Sequence, residues 1–391
     1  MLSFLRNTWA VFRRESERMS RNKIYPVLMF ILPIVSFVCF AFIFRNGINN
    51  LPIAVLDEDH TPLSRQLTMM VDETPTAVVA YEVQDMNEAI GLMRQGKIYA
   101  ILQIPAFFEK NIMANRQTHV EFYNSGANIS TNGLLSKDVQ TAVTTFSTGI
   151  QLQVLQKQGL TARQAMALAR PVSFDKHVLF NPFINYAYYL APSLLGMMLL
   201  IFTVLTTIYS VGTELKYSTA GEWLAAADGS IWAAVTGKLL PITMAMFSMT
   251  LAMYAVVFLI IGAPMNGSLT MLVIAALVFV MSYQAIALFV VTVFANLRLA
   301  LSFGGGYSVL AFTFSGLTFP TMAMYGAIRV FSFIFPFTFF MRIYVDIAMR
   351  GAGYEYALAD MGCMAVFQIL PLLVLPRLKK ICQNEKYWGR L

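Results

Sequence analysis

Six stretches, at 24–44, 187–210, 239–262, 269–295, 299–319 and 357–376, are built almost wholly from apolar side chains. A helix rising ~1.5 Å per residue needs ~20 such residues to cross a hydrocarbon core of ~30 Å, and each run is near or above that length. With 57% of the 391 residues hydrophobic and 13% charged, a water-soluble fold could not enclose so much apolar surface, and membrane lipid must cover the remainder. The expected fold class is membrane α-helical with six transmembrane helices. The first run starts at Ile24 and ends in Phe44-Arg45-Asn46-Gly47, which lacks a small-residue cleavage pattern, so it reads as an anchor rather than a removed leader.

The net charge of +7 is concentrated at the chain ends beside apolar runs, not interleaved with aromatic residues, which argues for membrane orientation and against a nucleic-acid partner. Arg6, Arg13, Arg14, Arg18, Arg21 and Lys23 precede the first span, and Arg377, Lys379, Lys380, Lys386 and Arg390 follow the last. Both termini are therefore expected in the cytoplasm, with an even number of crossings. The additional apolar stretch 322–341 contains Arg329 and Pro336, so it reads as a broken, re-entrant pair of short helices within an outer segment, 320–356. Residues 1–23 place Leu2, Leu5, Trp9, Phe12 and Met19 on one helical side, giving an N-terminal interfacial helix; the simpler alternative is a basic flank that only orients the first span. Residues 377–391 form a basic cytoplasmic tail.

Residues 46–186 are nearly balanced in charge and alternate between strand and helix patterns, which predicts an inserted α/β extracytoplasmic domain. Strands are expected at 52–56, 77–83, 98–104 and 120–123, helices at 61–71, 85–95 and 105–115, and further helices from 132 to 170. The cysteines, Cys39, Cys363 and Cys382, all lie outside this domain, so no disulfide framework is implied.

Gly91-Leu92-Met93-Arg94-Gln95-Gly96-Lys97-Ile98 matches a phosphate-binding loop up to its last position, where Ile98 replaces the magnesium-binding hydroxyl. A helical pattern precedes it, so Gly96 reads as a helix C-cap and the chain is expected to lack its own ATPase domain. Asp57-Glu58-Asp59-His60 could attract a metal with His119 or His177, but a polar turn capping the following helix explains the same residues more simply. No nucleophile stands in a pattern with a base, so no catalytic or cofactor-binding residue is assigned and the chain is not expected to be an enzyme. Asn128-Ile129-Ser130 fits a glycosylation acceptor.

Ionisable side chains are absent from 239–297, from 299–328 and from the first two spans, where ion-coupled transporters commonly need them. Energy for any transport is therefore expected from another subunit, through the loop Val211–Lys238. Within it, Glu222-Trp223-Leu224 is expected on a short helix with Trp223 and Leu224 exposed for docking; an amphipathic helix resting on lipid is the alternative.

The loop from Glu214-Leu215-Lys216 to Glu222-Trp223-Leu224-Ala225-Ala226 resembles the coupling-helix segment of type 2 ATP-binding-cassette (ABC) permeases. Leu51 to Asp59 just after the first span, Ser315-Gly316 to Pro320, and Phe335-Pro336-Phe337-Thr338-Phe339-Phe340 resemble further segments of that family in the same order. The large domain after the first helix resembles the multidrug-exporter branch.

The resemblance implies a multi-pass permease of the bacterial inner membrane, dimeric with itself or a close relative. A cytoplasmic ABC ATPase subunit would carry ATP and magnesium, and the external domain could engage a periplasmic adaptor. Glu214, Lys216, Glu222, Trp223 and Leu224 would couple to the ATPase, and the exported cargo would be drugs, lipids or other amphiphiles. Tyr186, Tyr188, Tyr189, Tyr307 and Phe314 would line the route between two bundles, although interface belts place tyrosines at span ends as well. Gly304-Gly305-Gly306 would allow close helix packing or a hinge. A membrane receptor with an external ligand-binding domain and an ion-coupled secondary transporter are the rival readings.

Overall fold

Short polar residues set the starts of the apolar helices. Ser230, Ser268 and Asn296 each accept a hydrogen bond from the backbone N–H three residues on, which satisfies a donor that the first helical turn leaves unpaired. The computed structural model describes residues 2–45, 49–114, 116–126, 129–169, 179–181, 185, 187–317 and 319–389; Tyr186, His177, Asn128 and Arg390 lie outside them. Chain contacts divide it into a helical unit, residues 1–45 with 178–391, and an inserted unit, residues 46–177. The inserted unit thus ends nine residues before the boundary expected from composition.

The helical unit begins with α1, Leu2–Arg21, followed by α2, Ile24–Phe44. Among the described residues, five helices are long and apolar enough to cross a membrane, or six if one bent pair counts as a span. The strands and helices of the inserted unit are β1 Leu51–Asp57, α3 Pro62–Asp72, β2 Ala77–Glu82, α4 Met86–Arg94, β3 Ala100–Ile104, α5 Phe108–Met113, β4 Glu121–Asn124, α6 Ile129–Lys157 and α7 Ala162–Ala169. The helical unit then resumes with α8 Ala187–Lys216, the short α9 Ala220–Ala226, α10 Ile231–Ile260, α11 Leu269–Phe294 and α12 Leu297–Thr313. Two short helices, α13 Gly326–Ser332 and α14 Pro336–Met349, meet at 85°, and α15 Tyr354–Gln383 ends the unit.

The expected span at 299–319 is thus the 17-residue α12, about 26 Å long at the standard helical rise. The stretch 322–341 is broken as its arginine and proline suggest, with Pro336 at the first turn of α14, where its missing N–H costs nothing. Helices α8 and α11 form the centre, with 67% of their most apolar windows buried against 22% in α2 and α15. Close backbone approach holds the centre together: a Cβ on Gly304 of α12 would lie 2.5 Å from Ile208 of α8, so the packing role expected of the glycine run falls on Gly304, while Gly305 and Gly306 face open space.

In the inserted unit the sheet order is β2-β1-β3-β4, with β1 parallel to both β2 and β3 and β4 antiparallel to β3. Strand β1 is buried on both faces, as parallel strands covered by helices are. Ile53 and Val55 pack with Leu67, Phe108, Leu135 and Phe146 on one side, and Ala54 and Leu56 with Ala89, Ile98 and Ile101 on the other. The alternating order read from the sequence holds throughout. Helix α5 starts later than expected because Phe107 sits at φ 62, a left-handed conformation that a helix cannot continue.

Gly96, at φ 70, ends α4: its N–H donates to the Met93 carbonyl and that of Lys97 to Leu92. Gly91 lies inside that helix, so the segment runs helix to cap and not strand to phosphate loop. The acidic turn also folds as a cap. Asp57 Oδ1 accepts from the N–H groups of Asp59 and His60, Asp57 Oδ2 accepts from Ser64 Oγ, and Asp59 Oδ2 accepts from the Thr61 hydroxyl and from the Glu109 N–H.

Candidate functional site

Helices α1, α8, α9 and α10 meet around five ionised side chains, of which Glu15, Glu214 and Lys238 have no measurable exposure. Lys238 Nζ lies 2.5 Å from Glu15 Oε2 and 2.8 Å from Glu214 Oε1. Arg14 grips Glu214 with both terminal nitrogens, at 2.6 and 3.2 Å, and Arg18 pairs with the same carboxylate while donating to Thr213 Oγ1 at 2.9 Å. Thr219, just ahead of α9, also donates its hydroxyl to Glu214. Ser210 and Tyr25 donate to Glu15 Oε1 at 2.7 and 3.3 Å.

Burial disfavours the Arg14 charge, but its bonds to Glu214 outweigh that, and its pKa is raised above the ordinary arginine value. Three cations face two carboxylates, a surplus of one positive charge. Glu222 of α9, 3.9 Å from Arg14 Nη2 and 76% exposed, supplies the balancing charge at the rim.

The local sequence brings these groups together. Helix α8 does not stop at the apolar boundary near residue 210 but continues to Lys216, carrying Glu214 into the junction. Gly237 lets α1 press against α10, since a Cβ there would stand 2.4 Å from the Thr8 carbonyl oxygen and 2.8 Å from Val11. Helix α9 closes the cluster from one side.

Here one expectation is corrected: Trp223 and Leu224 are not exposed. Trp223 is fully buried, donates Nε1–H to the Ala234 carbonyl at 3.1 Å and carries Lys238 Nζ 5.0 Å from its ring centre; Leu224 is 5% exposed. The seven-residue helix turns its apolar side inward because the junction supplies a core for it. Glu214 is likewise buried and Lys216 half-buried beside Tyr217, so of the five proposed coupling residues Glu222 alone is fully at the surface.

The ABC-2 family transporter model matches residues 23–375, the great majority of the chain. The chain belongs to the ABC-2 transporter family. It is 19% identical over 348 residues to the "probable multidrug ABC transporter permease YbhR" of Escherichia coli strain K12, a match covering 89% of this chain and 91% of that protein, and it matches the O157:H7 counterpart equally.

In this ABC-2 transporter the described candidate route residues Tyr188, Tyr189, Tyr307 and Phe314 all pack against the helical core. Tyr307 of α12 and Phe314, which caps its C-terminal end, join one aromatic cluster, with Phe335 at 5.1 and 6.4 Å between ring centres. Tyr307 donates its hydroxyl to the Ile334 carbonyl at 2.9 Å, which ties α12 to the joint of the bent pair, and Tyr189 donates to the Leu317 carbonyl, which ties α8 to the segment after α12. Tyr188 packs against the same helical core and also among Phe44, Ala187 and Ile261.

Sequence reasoning missed Glu15, which it did not single out, and Lys238, which it took only as the end of the loop Val211–Lys238. Lys238 stood next to a charge-free run, the one available signal. It also missed the pair Arg342–Asp360 at 3.8 Å, where Asp360 interrupts the last apolar stretch; Arg342 is stacked 5.2 Å from Phe333.

Proposed function

We propose that this ABC-2 chain is the membrane subunit of an ATP-driven exporter of amphiphilic compounds, and that the ion cluster is the joint through which the ATPase moves it. In this reading the termini and α9 face the cytoplasm, the inserted unit faces outward, and two permease chains share the route. An ATPase subunit binding ATP and magnesium docks on the exposed side of α9. That side presents Glu222; Tyr217, which precedes α9, and Trp232, in the first turn of α10, are also exposed, at 60% and 50%.

The observation that carries the proposal is the burial of Glu214 among Arg14, Arg18 and Lys238. Helix α9 reaches the cluster through the Thr219 hydroxyl on Glu214, the Trp223 ring beside Lys238 and Glu222 near Arg14. A displacement of α9 therefore pulls on groups that buried ion pairs bind to α1, α8 and α10, and it passes to those helices. The absence of ionisable groups from 239–297 and 299–328 supports power from a partner over ion coupling. The carboxylate of Glu222 gives the docking face a charge that a basic residue of the ATPase would meet.

The test co-reconstitutes the chain with its ATPase. Glu222→Lys should abolish co-purification, whereas Glu214→Gln should leave assembly intact and separate ATP hydrolysis from cargo movement. Transport by the chain alone under an imposed ion gradient would overturn the proposal.

A further inference from the structure

The inserted unit contains a cavity of about 900 Å³ that neither the family match nor the coupling site explains. Its walls are α5 and the following loop on one side and α6 with α7 on the other, with Leu67 of α3 between them. Helix α6 shows how it arises. The first turns of its inner stripe, Leu135, Val139, Ala142 and Phe146, are buried against the sheet. The 29-residue helix then runs past the sheet, and the continuing stripe of Ile150, Val154 and Leu155 lines the cavity half-exposed. A helix face with this periodicity is ordinarily covered, and here it borders a space of ligand size.

The cavity is chemically two-sided. Phe108 and Phe146, stacked with ring centres 6.0 Å apart, and the aliphatic side chains form an apolar body. Arg116, Gln117 and Thr118 form a polar edge on the loop, faced by Gln151 and Gln158 of the helical side. Arg116 is the one charged residue in the lining, no acidic side chain joins it there, and it makes no ion pair among the described residues. A positive, hydrogen-bonding edge over an apolar body complements an anionic headgroup on a hydrocarbon or aromatic body.

We infer that the cavity between α5, α6 and α7 is a binding site for an amphipathic anion, held by its apolar part against Phe108, Phe146 and Val154 and by its charge at Arg116. A carboxylate or phosphate head satisfies this chemistry, from a free fatty acid or from a lysophospholipid of the membrane. The inference deepens the export reading by naming a cargo class, but the binding itself requires neither the ATPase nor transport.

The experiment uses the full chain in phosphatidylcholine nanodiscs without ATPase, titrated with a dansyl-labelled undecanoate against empty discs. Saturable binding above the empty-disc signal is expected. Arg116→Gln should weaken it about tenfold while leaving binding of the matching dansyl alcohol unchanged, as loss of a charge-assisted hydrogen bond requires. Val154→Trp should remove binding of both probes, with an unchanged melting temperature showing that the domain is intact. Displacement by oleate identifies the free-acid source and displacement by lysophosphatidylglycerol the lipid source, and either supports the inference. It is overturned if wild type binds no more than empty discs, if neither competitor displaces the probe, if Arg116→Gln has no effect, or if a trimethylammonium probe binds as tightly as the acid. Because no nucleotide is present, such a failure leaves the export reading standing.

Discussion

Lys238 illustrates how one side chain can govern a junction. It is enclosed by Glu15, Glu214 and the Trp223 ring, so replacing it with methionine leaves two carboxylates facing each other without the cation that joins them. Loss of one member of a buried pair costs about 3–5 kcal/mol. Lys238→Met should therefore lower the melting temperature of the purified chain clearly, and adding Glu15→Gln should restore part of the loss; equal melting of the single and double variants would mean the two groups are not coupled. The identities of such residues were legible in the sequence, but their partnership was not. Glu15 and Lys238 are 223 positions apart, and no local periodicity links a basic N-terminal flank to the start of the third apolar helix. The reverse holds for Gly96 and the Asp57–Ser64 turn, whose bonds, apart from that of the Glu109 N–H to Asp59, are local and whose roles could be read from spacing.

At the scale of elements, periodicity located nearly every helix and strand, because burial of alternating or helical faces is a local constraint on sequence. What it could not supply was the direction each short helix faces. For α9, seven residues carry too little pattern to separate a docking face from a packing face, and Trp223 turned inward once α10 offered Ala234 and Lys238. The N-terminal helix shows both faces. Val11 and Glu15 pack inward, and so does Met19, which departs from the apolar side expected for it because the neighbouring helices cover it; Leu2, Leu5 and Trp9 of that side are exposed. Gly237→Leu should lift α1 from α10, since its side chain would enter the space of Thr8 and Val11. Limited trypsinolysis should then cut at Arg13 and Arg14 faster than in wild type, and unchanged cleavage would show that α1 is held elsewhere.

For the whole molecule, the apolar runs settled the membrane class and the composition shift settled the inserted unit, while the sidedness of each came from charge alone. A cysteine-free variant carrying Arg6→Cys or Lys97→Cys tests that assignment with an impermeant maleimide applied to sealed cells. Lys97→Cys should be labelled from outside and Arg6→Cys only after permeabilisation; the opposite pattern would invert the topology. The ion cluster also bears on how the chain is made. Glu15 is synthesised 223 residues before its lysine partner. Arg14 and Arg18 of the same helix wait for Glu214, made shortly before that lysine, so the N-terminal segment lacks its long-range partners until the chain reaches α10, and a nascent product halted before that point would expose this helix to proteolysis.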